Sequence, residues 1–376
     1  MATYKSIKYV IPVEAVEHTD SINALSDVDT VTTPPTDYQI LVWSAADSKW
    51  YPGFVEEPTG TQKAIFGFGR ATSGRTTITN LVSNTGVVST DTTGVGTVRS
   101  NLAASGFGGD KAIFGFGYSD ANYTQSYYNM TNLVSNTGVV ATDTTGVGTG
   151  RNDLAAACYG GDKAIFGFGY GFDNSVYAEY YYNITNLVTN TGIVGSDQTG
   201  VGTGRSRLSA ASYGGDKAIF GFGYGFDSVN YSGSLYYNVT NLVSSSGVVA
   251  TDTTGVGTGR SGLAATGYGG DKAMFGFGSS TSGGYTQNYS NATNLVSNTG
   301  VVSTNTTGVG TARSDLAASG FGGDKALFAF GGTSTAYAQN YNNMSNLISN
   351  TGVVATDTTG VGTGRYGLAA AGFSIT

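Results

Sequence analysis

A tandem repeat restricts the fold of this chain more than any other feature of its sequence. The string KAIFGFG and two close variants begin at six lysines: Lys63, Lys111, Lys163, Lys217, Lys272 and Lys325. Successive copies are 48, 52, 54, 55 and 53 residues apart. Repeats of this length occur in propellers and solenoids, where each copy is one supersecondary unit that packs on its neighbours.

One segment of the repeat varies in length while the rest is constant. From the Thr of the TNLV motif to the last Gly of the next FGFG motif there are always 39 residues, as in Thr79–Gly117 and Thr293–Gly331. The segment between FGFG and the next TNLV position has 9, 13, 15, 16, 14 and 13 residues in the six copies. We therefore predict a fixed scaffold that carries one variable loop per repeat.

Each copy contains four short strand patterns, which are LAAAGYGG, DKAIFGFG, YYNVTNLVS and GVVATDTT, separated by the turn signals GGD, NTG and TTG. Both faces of the second pattern are apolar or small, as expected for a sheet covered on both sides. Its glycines leave room for phenylalanines of a neighbouring sheet. The Ala/Gly-rich first pattern fits the crowded centre of a ring. The sequence predicts an all-β, six-bladed β-propeller with four strands per blade.

The two ends of the repeat region complement each other. The first copy has no LAAxG segment before it, and the chain ends in GRYGLAAAGFSIT, which has no KAIFGFG after it. We predict that residues 366–373 complete the first blade, because this pairing leaves no exposed sheet edge. The predicted propeller domain is residues 61–376.

A kelch-like pattern runs through the repeats. Residues 151–170 read RNDLAAACYGGDKAIFGFGY, a small-residue strand followed by a hydrophobic strand that ends in a glycine-rich turn. This pattern resembles the kelch family of β-propellers over about residues 61–376. Most copies have GFG where kelch repeats have a Gly-Gly doublet, which only Gly331–Gly332 shows, and the late kelch tryptophan is missing.

Residues 1–60 do not repeat. They hold all five prolines, both tryptophans and the single histidine, His18, and their three lysines and nine acidic residues give a formal charge of −6. A small hairpin is predicted from Tyr38–Trp43 and Lys49–Tyr51. The segments at 25–30, 33–37 and 39–53 resemble a stretch common in bacteriophage tail-fibre and other virion proteins.

The tail-fibre resemblance implies a location and partners. Residues 1–60 are expected to attach the protein to other virion proteins on a phage tail or capsid surface, ahead of a distal domain. Fibre proteins are usually trimers, so the resemblance also implies a homo-oligomer. A signal peptide is not expected, which fits assembly inside a host cell; a cytoplasmic kelch adaptor is a remote alternative.

Composition excludes several classes of function. Residues 61–376 are nearly neutral, so the sequence has no basic footprint for nucleic acid. No apolar run is long enough to span a bilayer, so membrane insertion is not expected. The single cysteine, Cys158, excludes a Cys-based zinc cluster, and we expect neither a metal nor a cofactor.

The variable loops are rich in Tyr, Ser, Gly and Asn, the composition of adaptable binding loops. All lie at the same connection of the repeat and therefore on one face. We predict that they recognise a host surface polysaccharide or lipopolysaccharide; the alternative is that the tyrosines only pack on the blades. The candidate ligand-binding residues are Tyr118, Tyr123, Tyr127, Tyr170, Asp173, Tyr177, Tyr224, Asp227, Tyr231, Tyr285, Tyr289, Tyr337 and Tyr341.

One arginine recurs in every copy: Arg99, Arg151, Arg205, Arg260, Arg313 and Arg365. A ring of arginines suggests an anion site, but a residue that every blade requires more often stabilises the blade. We interpret these as a structural ring. Each arginine follows an acidic residue of its own repeat by eight positions, except Arg313, which follows Asn305.

Two other functions remain open at this point. The only glutamate after residue 60, Glu179, lies near Asp173 in one loop, and a carboxylate pair could serve a polysaccharide depolymerase. The simpler interpretation is that the two residues are solvated loop charges without a catalytic role. We therefore predict no enzymatic activity and no catalytic residue. The other alternative is a ligand-free capsid or tail decoration protein.

Overall fold

The computed structural model describes residues 40–44, 48–53, 61–121, 124–227, 233–281, 287–334 and 339–375. The chain divides between residues 57 and 58 into two units. These described ranges contain strands and turns without any helix, which confirms the all-β prediction. Consequently no helix within them could cross a membrane.

The N-terminal unit contains a two-stranded hairpin. Strands β1 (Ile40–Ser44) and β2 (Lys49–Gly53) are antiparallel, with Trp43 opposite Trp50. Both strands begin and end within two residues of the predicted hairpin. The motifs at 25–30 and 33–37 that resemble virion proteins lie outside the described residues.

The repeat region contains six antiparallel three-stranded sheets, in which the middle strand of each comes from KAIFGFG. The inner strands are β7 (Ala103–Phe107), β12 (Ala155–Tyr159), β15 (Ser209–Tyr213), β18 (Ala264–Tyr268), β23 (Ala317–Phe321) and β28 (Ala369–Phe373). The middle strands are β3 (Lys63–Gly67), β8 (Lys111–Gly115), β13 (Lys163–Asp173), β16 (Lys217–Asp227), β19 (Lys272–Gly276) and β24 (Lys325–Ala329). The outer strands are β6 (Thr79–Val82), β11 (Thr131–Val134), β14 (Ala178–Val188), β17 (Gly233–Val243), β22 (Thr293–Val296) and β27 (Ser345–Ile348).

A hairpin follows each middle strand at the variable segment. In the third and fourth sheets it continues the long strands β13–β14 and β16–β17. In the other four it is a separate strand pair: β4 (Arg70–Ala71) with β5 (Gly74–Arg75), β9 (Tyr118–Ala121) with β10 (Thr124–Tyr127), β20 (Ser279–Thr281) with β21 (Gln287–Tyr289), and β25 (Gly332–Ser334) with β26 (Gln339–Tyr341).

The first sheet joins the two ends of the repeat region, as predicted. Strand β28 pairs with β3 from Ala369 opposite Gly67 to Phe373 opposite Lys63, and β3 pairs in turn with β6. Each inner strand contacts the next in chain order, and β28 contacts both β23 and β7. Six hydrophobic clusters fill the spaces between neighbouring sheets, including the last and the first.

The prediction of four strands per blade is wrong for the fourth pattern. Residues 88–92 meet β6 through two isolated bridges, Val82 to Val88 and Thr79 to Thr92. The two bridges are three residues apart along β6 but four residues apart along the other segment, so a bulge interrupts the ladder between them. The side chain of Asn80 fills the gap, donating Nδ2 to the carbonyl of Ser89 (3.0 Å) and to Asp91 Oδ1 (2.9 Å).

A second bulge follows the KAIFG segment in the third and fourth sheets, and every repeat places a buried phenylalanine with a left-handed φ at this position. The pairing shifts between Gly167 and Gly169. Between them Phe168 has a φ of 64°, and the five equivalent phenylalanines have φ values of 63–65°. This left-handed conformation is unusual for a bulky side chain and costs of order 1–3 kcal/mol. Its ring is fully buried against the ring of Phe220 in the next sheet, at 5.2 Å between centroids.

The two ends of each sheet carry different structures. The turns from inner to middle strands lie at one end, and the variable hairpins lie at the other, which we call the hairpin face. Residues 61–62, the first described residues of the repeat unit, lie at the turn end. There Gly322 and Gly323 donate to the carbonyls of Gln62 and Thr61. The chain therefore enters the repeat unit opposite the hairpin face.

Candidate functional site

The recurring arginines are buried between neighbouring sheets. Arg99 is 0% exposed; its Nε donates to the carbonyl of Phe116 (2.8 Å) and its Nη2 to Asn132 Oδ1 (2.5 Å), both in the second sheet. Its guanidinium lies over the ring of Phe68 in the first sheet, 4.3 Å from the centroid. The other five arginines make the same contacts, and Arg365 does so between the sixth and first sheets. The guanidinium groups of the six arginines are thus hydrogen-bonded within the protein, in agreement with a structural ring.

Five of the six arginines have an acidic partner, which comes from the following repeat, whereas the equivalent position for Arg260 is Asn305. Arg99 Nη1 lies 3.5 Å from Asp143, and Arg365 Nη1 lies 3.9 Å from Asp91. The offset of eight in the sequence placed Asn305 with Arg313, but Arg313 lies 3.8 Å from Asp357. Each arginine lies at the end of one repeat, and its side chain bonds to the sheet that follows. The acidic neighbour, where there is one, therefore belongs to that following sheet. The remaining pairs are Arg151–Asp197 and Arg205–Asp252.

Burial and local partners shift the pKa values of these groups in a consistent way. Burial lowers the pKa of each ring arginine to about 10. Burial raises the pKa of Asp143, but hydrogen bonds from Thr97 and Asn132 and the charge of Arg99 together hold it below its ordinary value. At neutral pH both groups are charged.

The hairpin face carries a continuous row of tyrosine rings across three hairpins. The row runs in the order Tyr118, Tyr127, Tyr170, Tyr181, Tyr224 and Tyr236, with neighbouring centroids 5.4–6.2 Å apart. All six are half-buried. Arg75 of the first hairpin lies over Tyr118, 4.3 Å from its centroid. Tyr181, Tyr236 and Arg75 were not singled out from the sequence, although the adjacent tyrosines at 180–182 and 236–237 are a signal for the first two.

The other candidate loop residues have different surroundings. Tyr177 is 83% exposed at the tip of the third hairpin. Tyr289 and Tyr341 each donate their hydroxyl to the glutamine two residues earlier. Asp227 ends β16, and nothing is described of its side chain. Tyr123, Tyr231, Tyr285 and Tyr337 lie outside the described residues.

The two carboxylates of the depolymerase alternative lie on opposite faces of their hairpin. Glu179 stands opposite Phe172, whereas Asp173 stands opposite Ala178, and successive strand residues alternate between faces. Glu179 accepts hydrogen bonds from the hydroxyls of Tyr170 (3.3 Å) and Tyr181 (3.4 Å). Hydrogen bonds from Ser175 hold the pKa of Asp173 below its ordinary value. This arrangement does not make an acid/base pair of the two residues.

A ring of six residues surrounds the central channel at the hairpin face; we call it the collar. Each member precedes a constant leucine and an inner strand, and each has a left-handed φ of 51–63°. Each N–H donates to the carbonyl of the preceding member at 2.6–2.9 Å, and the sixth member supplies the carbonyl for the first. The members are Asn101, Asp153, Arg207, Gly262, Asp315 and Gly367.

The collar side chains form a charged network that the sequence interpretation missed. Asn101 donates to Asp153 (2.6 Å), and Arg207 Nη2 reaches past Gly262 to both carboxylate oxygens of Asp315 (2.5 and 2.6 Å). Burial raises the pKa of Asp153 to about 6. The charge of Asp315 raises the pKa of Arg207. The sequence does mark this position: it is Asn, Asp, Arg or Gly in different repeats, although the leucine that follows it is the same in all six.

Small side chains line the channel below the collar. Alanines line it first, and at the turn end a cavity of about 430 Å³ includes Cys158, Ser212 and Thr266. Burial raises the pKa of the Cys158 thiol to about 11, which keeps it protonated. Within the described residues, no group of three or more His, Cys, Asp or Glu side chains is placed to hold a metal ion.

Comparison with known proteins supports the fold alone. No family model matches the chain, and no curated protein matches it. Among solved structures, one titled "Structure of YjhT" superposes with a TM-score of 0.52 at 11% sequence identity. The match covers 72% of this chain and 88% of that chain. It supports a propeller-like arrangement of antiparallel sheets.

Proposed function

We propose that this protein is a non-enzymatic recognition protein of a bacteriophage virion, in which a closed six-bladed propeller presents its hairpin face to a host surface glycan. The closed ring is supported by the pairing of β28 with β3 and by the contacts of β28 with inner strands on both sides. The cyclic hydrogen bonds of the collar support it as well.

The observation that carries the proposal is the polarity of the repeat unit. The chain enters at residues 61–62 at the turn end, and every variable hairpin lies at the opposite end. The connection of the repeat unit to the preceding chain thus lies at the end opposite the hairpins. Binding residues are commonly placed on variable loops that a rigid scaffold positions.

The chemistry of the hairpin face suits a glycan. Half-buried tyrosine rings offer apolar faces with polar edges, and exposed Gln and Asn side chains offer paired donors and acceptors. Residues 61–376 carry a formal charge of only −1, so recognition does not rely on long-range attraction. We expect binding to change little with salt concentration.

The test is binding of the full chain to an array of bacterial surface polysaccharides and lipopolysaccharides. Binding that persists at high salt and is lost when Tyr170, Tyr181 and Tyr224 are all changed to Ala supports the proposal. Release of reducing ends during incubation would instead indicate a depolymerase.

Attachment through residues 1–60 needs its own measurement. We expect a protein that starts at residue 61 to be absent from assembled virions, because the acidic Pro- and Trp-containing segment is the non-repeating part of the chain. Incorporation of this shortened protein at the normal copy number would contradict the anchoring role while leaving glycan recognition open.

A ligand-free decoration protein is the second candidate, and one observation favours it. The tyrosine row of the second to fourth hairpins consists of rings that already pack on one another. Such packing stabilises long hairpins without any ligand. Failure of the full chain to bind any host material would select this function.

A further inference from the structure

A cavity of about 230 Å³ lies on the hairpin face between the fifth and sixth hairpins. Strands β20–β21 form one side and β25–β26 the other, and the collar residues Arg207 and Asp315 also line it. The space is below the range of roughly 300–1,000 Å³ that is usual for drug-sized ligands. Its size therefore suits a single small ring.

Contacts between the two hairpins hold the cavity in shape. The hydroxyl of Tyr289 accepts a hydrogen bond from the Ser334 amide (2.6 Å), and Ser334 Oγ donates to Gln287 Oε1 (3.1 Å). On the far side Tyr341 stacks on Tyr366, with centroids 5.4 Å apart and an interplanar angle of 22°. The walls are thus fixed before any ligand arrives, which reduces the entropy lost on binding.

The polar groups of this cavity define its ligand. Arg207 Nε is buried and has no hydrogen-bond partner among the described residues, although Nη2 is held by Asp315. A buried donor without an acceptor is destabilising, so a ligand oxygen that reaches Nε stabilises the protein. Gln287 and Gln339 are exposed at the rim and add amide groups.

Charge around the cavity excludes an acidic ligand. Arg207 is matched by Asp315, and Asp153 adjoins Arg207 in the collar, so the floor holds no excess of positive charge. A carboxylate or phosphate would meet the carboxylate of Asp315, which lines the cavity. A neutral, hydroxyl-rich ring has acceptors for Arg207 Nε and the glutamines, and apolar C–H groups for the aromatic rings of Tyr289 and Tyr366.

We propose that the cavity between the fifth and sixth hairpins is the primary subsite of the hairpin face and binds a neutral pyranose unit of a glycan. This inference rests on the proposed function and narrows it. It assigns the binding contacts to Arg207, Gln287 and Gln339, and it leaves the tyrosine row, which lies outside the cavity, out of the subsite.

The experiment is saturation-transfer NMR and calorimetry on the full chain, with methyl glucoside, methyl galactoside, methyl mannoside, N-acetylglucosamine and glucuronic acid as probes. We expect at least one neutral sugar to bind and glucuronic acid to bind at least tenfold more weakly. Gln339→Ala and Arg207→Lys should each weaken the neutral sugar at least fivefold. Arg207→Lys keeps a positive charge opposite Asp315 but removes the guanidinium and, with it, the Nε donor.

Gln125→Ala is the matched control. Gln125 is exposed in the second hairpin and accepts the hydroxyl of Tyr127 (2.5 Å), the same contact that Gln339 makes with Tyr341, but it lies outside the cavity. Its loss should leave sugar binding unchanged, and all three variants should keep the parent melting temperature.

The outcomes separate the two proposals. If polysaccharide binding survives in Gln339→Ala and Arg207→Lys but is lost on changing the tyrosine row, the subsite is wrong and glycan recognition stands. Equal affinity for glucuronic acid also overturns the subsite. If the parent chain binds neither the sugars nor any host polysaccharide, both proposals fail.

Discussion

At the scale of single residues, the same position in each copy serves different purposes. The ring arginines are constant because each donates a hydrogen bond to the carbonyl of a residue with a strained backbone. Phe116, for example, adopts a left-handed conformation, and its carbonyl accepts a hydrogen bond from Arg99 Nε. The collar residues diverge because only their backbones are needed for the cyclic hydrogen bonds. Their side chains are therefore free to carry recognition.

Asp153 makes stability depend on pH. Its pKa is raised to about 6 in the folded protein, above the value of about 3.9 in an unfolded chain. Folding therefore favours the protonated carboxyl, so this contribution to stability is complete below pH 4 and is lost as the pH rises to about 6. We expect Asp153→Asn to be more stable than the parent at pH 7 by about 1 kcal/mol and to remove this dependence.

Chemical denaturation between pH 4 and pH 7 measures this effect. Asp173→Asn is a suitable control, because Asp173 is a hairpin-face carboxylate whose pKa is lowered and not raised. An unchanged pH profile in Asp153→Asn would show that the collar carboxylate titrates normally.

At the scale of the strand, glycines decide how closely neighbouring sheets approach. A Cβ placed on Gly115 would lie 2.8 Å from Cζ of Phe166 in the next sheet. The sixth sheet has Ala329 at this position, and its ring pair Phe66–Phe330 is 5.4 Å apart, against 5.1–5.3 Å for the other five. One methyl group is thus accommodated there with a slightly wider gap.

We expect Gly115→Ala to lower the free energy of unfolding by about 1–3 kcal/mol, because the phenylalanine ring must move within a filled core. Gly195→Ala is the matched control: its nearest contact would be an ordinary 3.4 Å, and other repeats already have alanine at that place, as at Ala141. Thermal and urea denaturation compare the two. Equal stability of both variants would mean that the sheets separate easily.

The strands were predictable from the sequence to different degrees. The inner, middle and outer strands follow the constant 39-residue segment, because turn signals and apolar alternation act locally. The fourth pattern looked like a strand because it is rich in Val and Thr. It does not form a continuous strand because a bulge separates its backbone bridges to β6, and the side chain of Asn80 fills the gap between them. This role of a side chain depends on tertiary contacts, which the periodicity of the sequence does not reveal.

The site was less predictable than the strands. Tyrosine-rich loops could be placed on one face from their common position in the repeat. The row of rings and the cavity depend on contacts between different hairpins. The pairing of Arg207 with Asp315 joins residues 108 positions apart. The sequence interpretation therefore named Tyr170 and Tyr289 but missed Arg207.

At the scale of the whole molecule, the first sheet combines the beginning and the end of the repeat region. We expect removal of residues 366–376 to destabilise the protein by on the order of 5 kcal/mol and to cause aggregation. Leu368 and Phe373 each lose burial worth about 1.5–3 kcal/mol, and β3 becomes an open edge. Calorimetry and light scattering provide the measurement, and removal of residues 375–376 alone is the control. An unchanged melting temperature in the longer deletion would contradict a closed ring.

The position of β3 also has a mechanical consequence. It lies between two antiparallel partners whose hydrogen bonds run perpendicular to it, and residues 61–62 lead directly into its turn end. Under the proposed function, tension between an anchored N-terminal segment and a ligand on the hairpin face runs along this strand. Both of its ladders are then loaded in shear, so their paired residues resist together and do not peel apart one by one. Under the proposed function, the drag of flow on a particle attached to its host would therefore load this strand in shear.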